Sequence, residues 1–143
     1  MSDVQKLDHI IEEMIDVVEN SKEEIIHISE TARQEHDTLL AELVDTKEKV
    51  LRYIEKGDQL ERIVRASRRR LSEVSKNFDK YSEKEIREVY ENTHRLQTEL
   101  AMLSQEEKAL RLKRDDLERR LIALNYTIER ATGLTRKISA VLT

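Results

Sequence analysis

A helical histidine can accept a phosphoryl group when an acid directly after it serves as general base. His94 lies in the run His94-Arg95-Leu96-Gln97-Thr98, where Arg95 holds the place of that acid. It therefore reads as a solvent-facing histidine beside Thr93. His9, His27 and His36 are isolated, none with a second histidine or a cysteine at ligand spacing. His36 falls on the expected core frame, where protonation would disfavour packing on Leu124. Arg62, Arg65, Arg68, Arg69 and Arg70 form the basic cluster, but nucleic-acid binding would ask for stacking aromatics or a binding motif beside it. Neither is there, and charge pairing with Glu83, Glu85, Glu88 and Glu91 of a returning helix explains the cluster better. Arg69-Arg70-Leu71-Ser72 is a pattern that basophilic kinases choose. Ser72 falls on the exposed face, with Arg68 and Arg69 one turn earlier, and is the candidate phosphorylation site. No carboxylate pair in a cleft, phosphate-binding glycine loop or nucleophile triad is recognisable. The chain is not expected to catalyse, or to hold a cofactor or metal, by itself.

Composition says what kind of element carries these residues. About half of the 143 residues are Ala, Glu, Lys, Leu or Arg, and 39% are charged, as in long helices. With no Pro, no Trp and only Phe78 among phenylalanines, there is little to fill a compact core. A net charge of −4, mixed along the chain, points to neither nucleic acid nor a membrane surface as partner. The absence of Cys excludes disulfides and fits a reducing compartment. The start lacks the basic and apolar regions of a signal peptide. No apolar run approaches the ~18 residues of a membrane span, so a cytoplasmic location is expected.

The positioning elements follow from a 3-4 apolar spacing. From Ile86 onward, Val89, Leu96, Leu103, Leu110, Leu117, Leu124, Ala131 and Ile138 hold one seam position; Ile86, Thr93, Leu100, Glu107, Arg114, Leu121, Ile128, Thr135 and Leu142 hold the other. A 3.5-residue period held this long makes a coiled coil. A matching series runs through His36, Leu43, Val50, Gly57, Val64 and Leu71, alternating with Leu39, Thr46, Tyr53, Leu60, Ser67 and Val74. Ahead of it, Ile28, Ala32, His36 and Leu39 step 4-4-3, which predicts a stutter. Ser82 followed by Glu85 is a capping box, with Tyr81 and Ile86 as its hydrophobic staple; Asn20-Ser21-Lys22-Glu23-Glu24 looks like a second. The expected class is all-α, a long antiparallel coiled-coil hairpin that dimerises into an elongated helical bundle. Its expected parts are an N-terminal dimerisation or cap segment (1–20), a first helix (21–78), a turn (79–82) and a second helix (83–143).

Folding about that turn sets Val74 against Ile86, Leu71 against Val89, Leu43 against Leu117 and Leu39 against Leu121. Polar seam residues meet as well: Ser67 with Thr93, Tyr53 with Glu107, and Thr46 with Arg114. Such layers cost stability but penalise slipped registers, and these six residues are the candidate register locks. Gly57, opposite Leu103, reads either as a hinge or as room for that leucine. The first ~17 residues have no partner within the hairpin, yet Leu7, Ile11, Met14 and Val18 line an apolar face there wider than a two-helix seam needs. Leu40, Val44, Leu51 and Ile54 add an outer stripe. These eight residues are the candidate surface of a homodimer.

The segments Arg70-Leu71-Ser72-Glu73-Val74-Ser75-Lys76-Asn77-Phe78, Tyr81-Ser82-Glu83-Lys84-Glu85-Ile86-Arg87 and Arg114-Asp115-Asp116-Leu117-Glu118-Arg119-Arg120-Leu121 resemble the N-terminal sensor domain of the DegS family of soluble two-component sensor histidine kinases. The resemblance covers most of the chain and fades before about residue 20. It implies a cytoplasmic signal-input domain. The parent kinase would use ATP and Mg to phosphorylate a histidine further along and pass the phosphoryl group to a response regulator of the DegU type. That acceptor box, His-Asp followed by Gln, is absent here, so His94 does not inherit the role. Helix continuation past Ser139–Thr143 into a kinase dimerisation helix is expected. A regulatory protein or a serine kinase would be the further partner. The rival reading is a structural coiled-coil scaffold or adaptor with no kinase attached.

Overall fold

The computed structural model describes residues 2–142 and is a helical hairpin: α1 (Asp3–Lys76), a 3-10 turn (Phe78–Lys80) and α2 (Glu83–Leu142). Met1 and Thr143, the outermost residues of the expected N-terminal segment and second helix, lie outside the described residues. No strand occurs among the described residues. The all-α hairpin is as the spacing predicts.

Why α1 starts at Asp3 is a matter of hydrogen bonds. Ser2 Oγ accepts the Gln5 amide proton at 3.2 Å while the Ser2 amide donates to Gln5 Oε1 at 3.0 Å, a complete capping box. The Asn20-Ser21 signal is not used as a cap. The helix runs through it, and the Ser21 hydroxyl donates back to the Val17 carbonyl at 2.9 Å. A cap works only where amides lack partners, and inside an unbroken helix they have them.

The turn is closed locally. Asn77 Nδ2 donates to the Glu73 carbonyl at 3.1 Å, and the Asn77 and Tyr81 amides donate to the Val74 and Phe78 carbonyls. Ser82 Oγ accepts the Glu85 amide at 3.2 Å and so caps α2. α1 ends at Lys76 rather than 78, because Phe78 has gone into the 3-10 turn, where it is exposed.

Two compact units divide the hairpin: Met1–Leu43 with Leu117–Thr143, and Val44–Asp116. In the first, Leu39, Leu43, Leu117 and Leu121 form a buried cluster with Leu124 packed against it. In the second, Val50, Val64, Val74, Val89 and Leu96 are buried. Every buried apolar side chain in both units is a seam position of the 3-4 pattern.

One seam residue was misplaced by the sequence reading. Ser29 is buried, whereas Ile28 is 55% exposed. The seam therefore runs Ser21, Ile25, Ser29, Ala32, His36 and Leu39, and the 4-4 step falls at Ser21–Ile25–Ser29 instead of Ile28–Ala32–His36. Ser29, like Ala32 and Ala131, is small, and small residues let helices approach where an isoleucine would hold them apart.

α1 is unbroken at Gly57, and a Cβ there would sit 3.8 Å from Leu103 Cδ2, an ordinary contact; around Gly133 the space is open. Neither glycine has a positive φ. Replacing Gly57 by Ala should raise stability by ~1 kcal/mol through helix propensity, with a smaller or equal gain at Gly133. Thermal melts of Gly57→Ala and Gly133→Ala check this; a loss at Gly57 would mean that Leu103 needs the space.

Candidate functional site

The residues singled out in the sequence fall at three places. At the hairpin tip, Ser72 stands exposed on α1, one turn before the helix ends at Lys76. Arg68 and Arg69, one turn earlier, are exposed too and have no carboxylate partner among the described residues. The expected pairing of the arginine cluster with Glu83, Glu85, Glu88 and Glu91 is not what forms. Arg65 pairs instead with Glu61 of its own helix at 2.9 Å, and Glu88 takes Lys84 at 4.0 Å. The reason is reach: partners one turn away on the same helix face each other without bridging the seam. Arg70, Glu85 and Glu88 line an open groove of about 230 Å³ together with Ser67, Val89 and Asn92, beyond ion-pair distance of one another.

Further down the same unit are the polar seam layers. Ser67 Oγ and Thr93 Oγ1 share a 2.6 Å hydrogen bond across the two helices, as their opposition in the sequence predicts. Thr93 is buried and Ser67 half-buried. Tyr53 does not pair with Glu107. Its hydroxyl hydrogen-bonds Glu106, which holds the phenol above its ordinary pKa; the Glu106 charge and partial burial push the same way, and Lys49 opposes them. Glu107, half-buried, pairs with Arg111 one turn on at 2.6 Å. A tyrosine side chain is long enough to pass its opposite seam residue and meet the next carboxylate at the seam edge, which is why the register arithmetic missed by one.

Thr46 is buried at 1% exposure, among the most enclosed side chains of the chain. Arg114, half-buried, donates from Nε and Nη2 to Asp115 Oδ1 at 3.3 and 3.2 Å. The neighbouring carboxylate of the Arg-Asp-Asp motif thus holds the guanidinium at the seam edge.

The third group is apolar. In the first unit Leu7, Ile11, Met14 and Leu40 are exposed and Val18 is half-buried; in the second, Val44 and Leu51 are exposed and Ile54 is half-buried. His94 is exposed, and its backbone carbonyl accepts the Thr98 hydroxyl at 2.9 Å. His36 is half-buried, with Nδ1 3.7 Å from Asp37 Oδ1. Among the described residues no three His, Asp or Glu side chains converge as a metal site, and no helix is long and apolar enough to cross a membrane.

The family described as Sensor protein DegS matches residues 8–143. The chain belongs to the DegS sensor protein family. It is 49% identical over 140 residues to a signal transduction histidine-protein kinase/phosphatase DegS of Bacillus subtilis (strain 168), covering 98% of this chain and 36% of that protein. It is 46% identical over 141 residues to the protein of the same name from Brevibacillus brevis, covering 99% of this chain and again 36% of the relative. The chain thus spans about a third of the length of these curated relatives, and it is homologous to a sensory stretch of histidine kinase/phosphatases. No solved structure matches it. Membership in the DegS sensor family bears out the resemblance read from the Arg-Arg-Leu-Ser and Arg-Asp-Asp-Leu motifs.

Two outcomes test the polar layers. Ser67→Ala should cost ~1–3 kcal/mol, because it strands the buried Thr93 hydroxyl, while Ser67→Ala with Thr93→Val should recover most of it. A double-mutant cycle by denaturant melts reads this directly. For Tyr53, the raised pKa means that the protonated phenol stabilises the fold, a contribution present below the unfolded value of about 10 and lost as pH rises through the folded one. Tyr53→Phe should therefore melt below wild type at pH 7, and the gap should close under alkaline conditions. A gap that stays constant with pH would rule out the Glu106 bond as its source.

Proposed function

We propose that this chain is the cytoplasmic signal-input and dimerisation domain of a DegS-type sensor histidine kinase. The supporting observation is the match to histidine kinase/phosphatases along nearly the whole of this chain, carried by two long helices. In this reading the rest of the parent chain binds ATP and Mg, autophosphorylates a histidine and transfers the phosphoryl group to a response regulator of the DegU type. The domain itself biases those steps. A packed hairpin has discrete arrangements of its seam, and a change at the tip that favours one of them is felt along the helix that carries it.

The input we propose is a charge placed on Ser72 by a serine kinase. Ser72 is exposed and lies near the α1 C-terminus, where a phosphate opposes the helix dipole. The free guanidinium groups of Arg68 and Arg69 compensate by pairing with it. The net effect on folding is small, ~1 kcal/mol or less. What changes is the charge at the tip, which went from a basic patch to a neutralised one.

Ser72→Asp and Ser72→Ala in the full-length kinase test this. Ser72→Asp should shift autophosphorylation and phosphotransfer, and Ser72→Ala should abolish any shift that a serine kinase produces. Equal output from wild type and both variants would reduce Ser72 to an ordinary surface serine.

A further inference from the structure

Leu7, Ile10, Ile11, Met14, Ile15 and Val17 leave a broad apolar face of α1 in solvent, each between 42% and 64% exposed. One edge of that face is acidic: Asp8, Glu12 and Glu19 follow one another along it, and Asp3, Glu13 and Asp16 stand nearby against the lone cation Lys6. Apart from the Glu13–His9 contact at 3.1 Å, none of these carboxylates has an ion-pair partner among the described residues. Two such segments laid against each other would bring carboxylate to carboxylate. The occupant has to be apolar and cationic.

The same unit of the protein supplies one. On α2, facing away from the seam residues Leu121, Leu124 and Ile128, runs a stripe made of Arg119, Ile122, Tyr126, Arg130, Lys137 and Val141 at helical steps. Ile122, Tyr126 and Val141 are 61% to 79% exposed. The Arg130 guanidinium lies 5.7 Å from the centroid of the Tyr126 ring. Arg119, Arg130 and Lys137 have no carboxylate partner among the described residues, and Glu129 sits to one side of the stripe.

We propose that residues 8–19 of one copy lie along residues 119–130 of the outer α2 stripe of a second copy, and the reverse, so that the contact is made twice about a twofold axis. The inference rests on the dimer reading above and specifies its surface. Ile11 and Ile15 cover Ile122 and Tyr126, while Asp8 and Glu19 meet Arg119 and Arg130. The spacing agrees: Asp8, Ile11, Ile15 and Glu19 step 3-4-4 along α1 as Arg119, Ile122, Tyr126 and Arg130 do along α2, each set extending about 17 Å as a helix. A reciprocal contact of one patch with a different one is what a twofold operator allows. It also explains why α1 keeps an apolar face so much wider than its own seam.

The chain has no Cys, so introduced thiols report cleanly. Chains bearing Ile11→Cys and chains bearing Ile122→Cys, mixed and mildly oxidised, should give a cross-linked heterodimer, and Ile11→Cys alone should give none. Arg119→Glu with Arg130→Glu should weaken the dimer at least tenfold in sedimentation equilibrium. Mixing that variant with Asp8→Lys, Glu19→Lys chains should restore association. Circular dichroism confirms that each variant stays helical. Wild type that remains monomeric at every concentration would overturn the dimer itself. A dimer that cross-links Ile11 to Ile11, or ignores the charge reversals, would overturn this surface and leave the dimer standing.

Discussion

Everything in this protein depends on a seam only two residues wide in every seven. A lone helix of this composition gains too little from its own hydrogen bonds and must bury its narrow stripe against another. The buried apolar side chains, from Ala32 to Ala131, are the ends of that stripe, and there is no core behind them. Stability is therefore spread along the helices in small layers instead of concentrated at one centre. Removing one layer weakens its neighbourhood, and a polar layer can be tolerated wherever its hydrogen bonds are met.

The two units use that freedom differently. Around Leu39, Leu43, Leu117 and Leu121 the first is leucine on leucine, with Ser29, Ala32 and Ala131 as small spacers. The second relies on valines and accepts Thr46, Tyr53, Ser67, Thr93, Glu107 and Arg114 on or at the edge of its seam. Of these, Ser67 is met by Thr93 across the helices, Tyr53 by Glu106, Glu107 by Arg111 and Arg114 by Asp115. Only the first two act between helices. A seam held partly by such bonds keeps its register with less apolar burial, since a slipped alignment would strand a hydroxyl inside it.

What could be read from the sequence follows from how far each rule reaches. Periodicity is long-range and averaged over many residues, so the seam and the opposition of Ser67 with Thr93 were legible. The Ser82–Glu85 signal was legible because it sits at a true chain break. The identical-looking Asn20-Ser21 signal misled, since a capping motif says what a terminus would look like without saying that one occurs. The real start, Ser2 with Gln5, carries the same signature and was there to be found. Apolarity alone points to Ile28, whereas a tight seam selects for size and takes the smaller Ser29. Tyr53 and the arginine cluster depend on side-chain reach, which seam arithmetic on Cα positions does not include.

The distribution of charge then takes on meaning. Most ion pairs join residues one turn apart on one helix, such as Asp45 with Lys49, Glu61 with Arg65 and Glu107 with Arg111, each worth a few tenths of a kcal/mol. They make the surface soluble and locally neutral and carry little information. Against that background three places stand out by remaining unneutralised: the arginines leading to Ser72, the carboxylates before residue 20, and the cations on the outer face of α2. Unpaired like charges repel, and holding them together destabilises the helix that bears them. A partner of opposite sign, whether a phosphate at the tip or a cationic stripe at the other end of α1, relieves that repulsion. On the reading proposed above, such relief is the means by which binding or modification favours one arrangement of the seam over another.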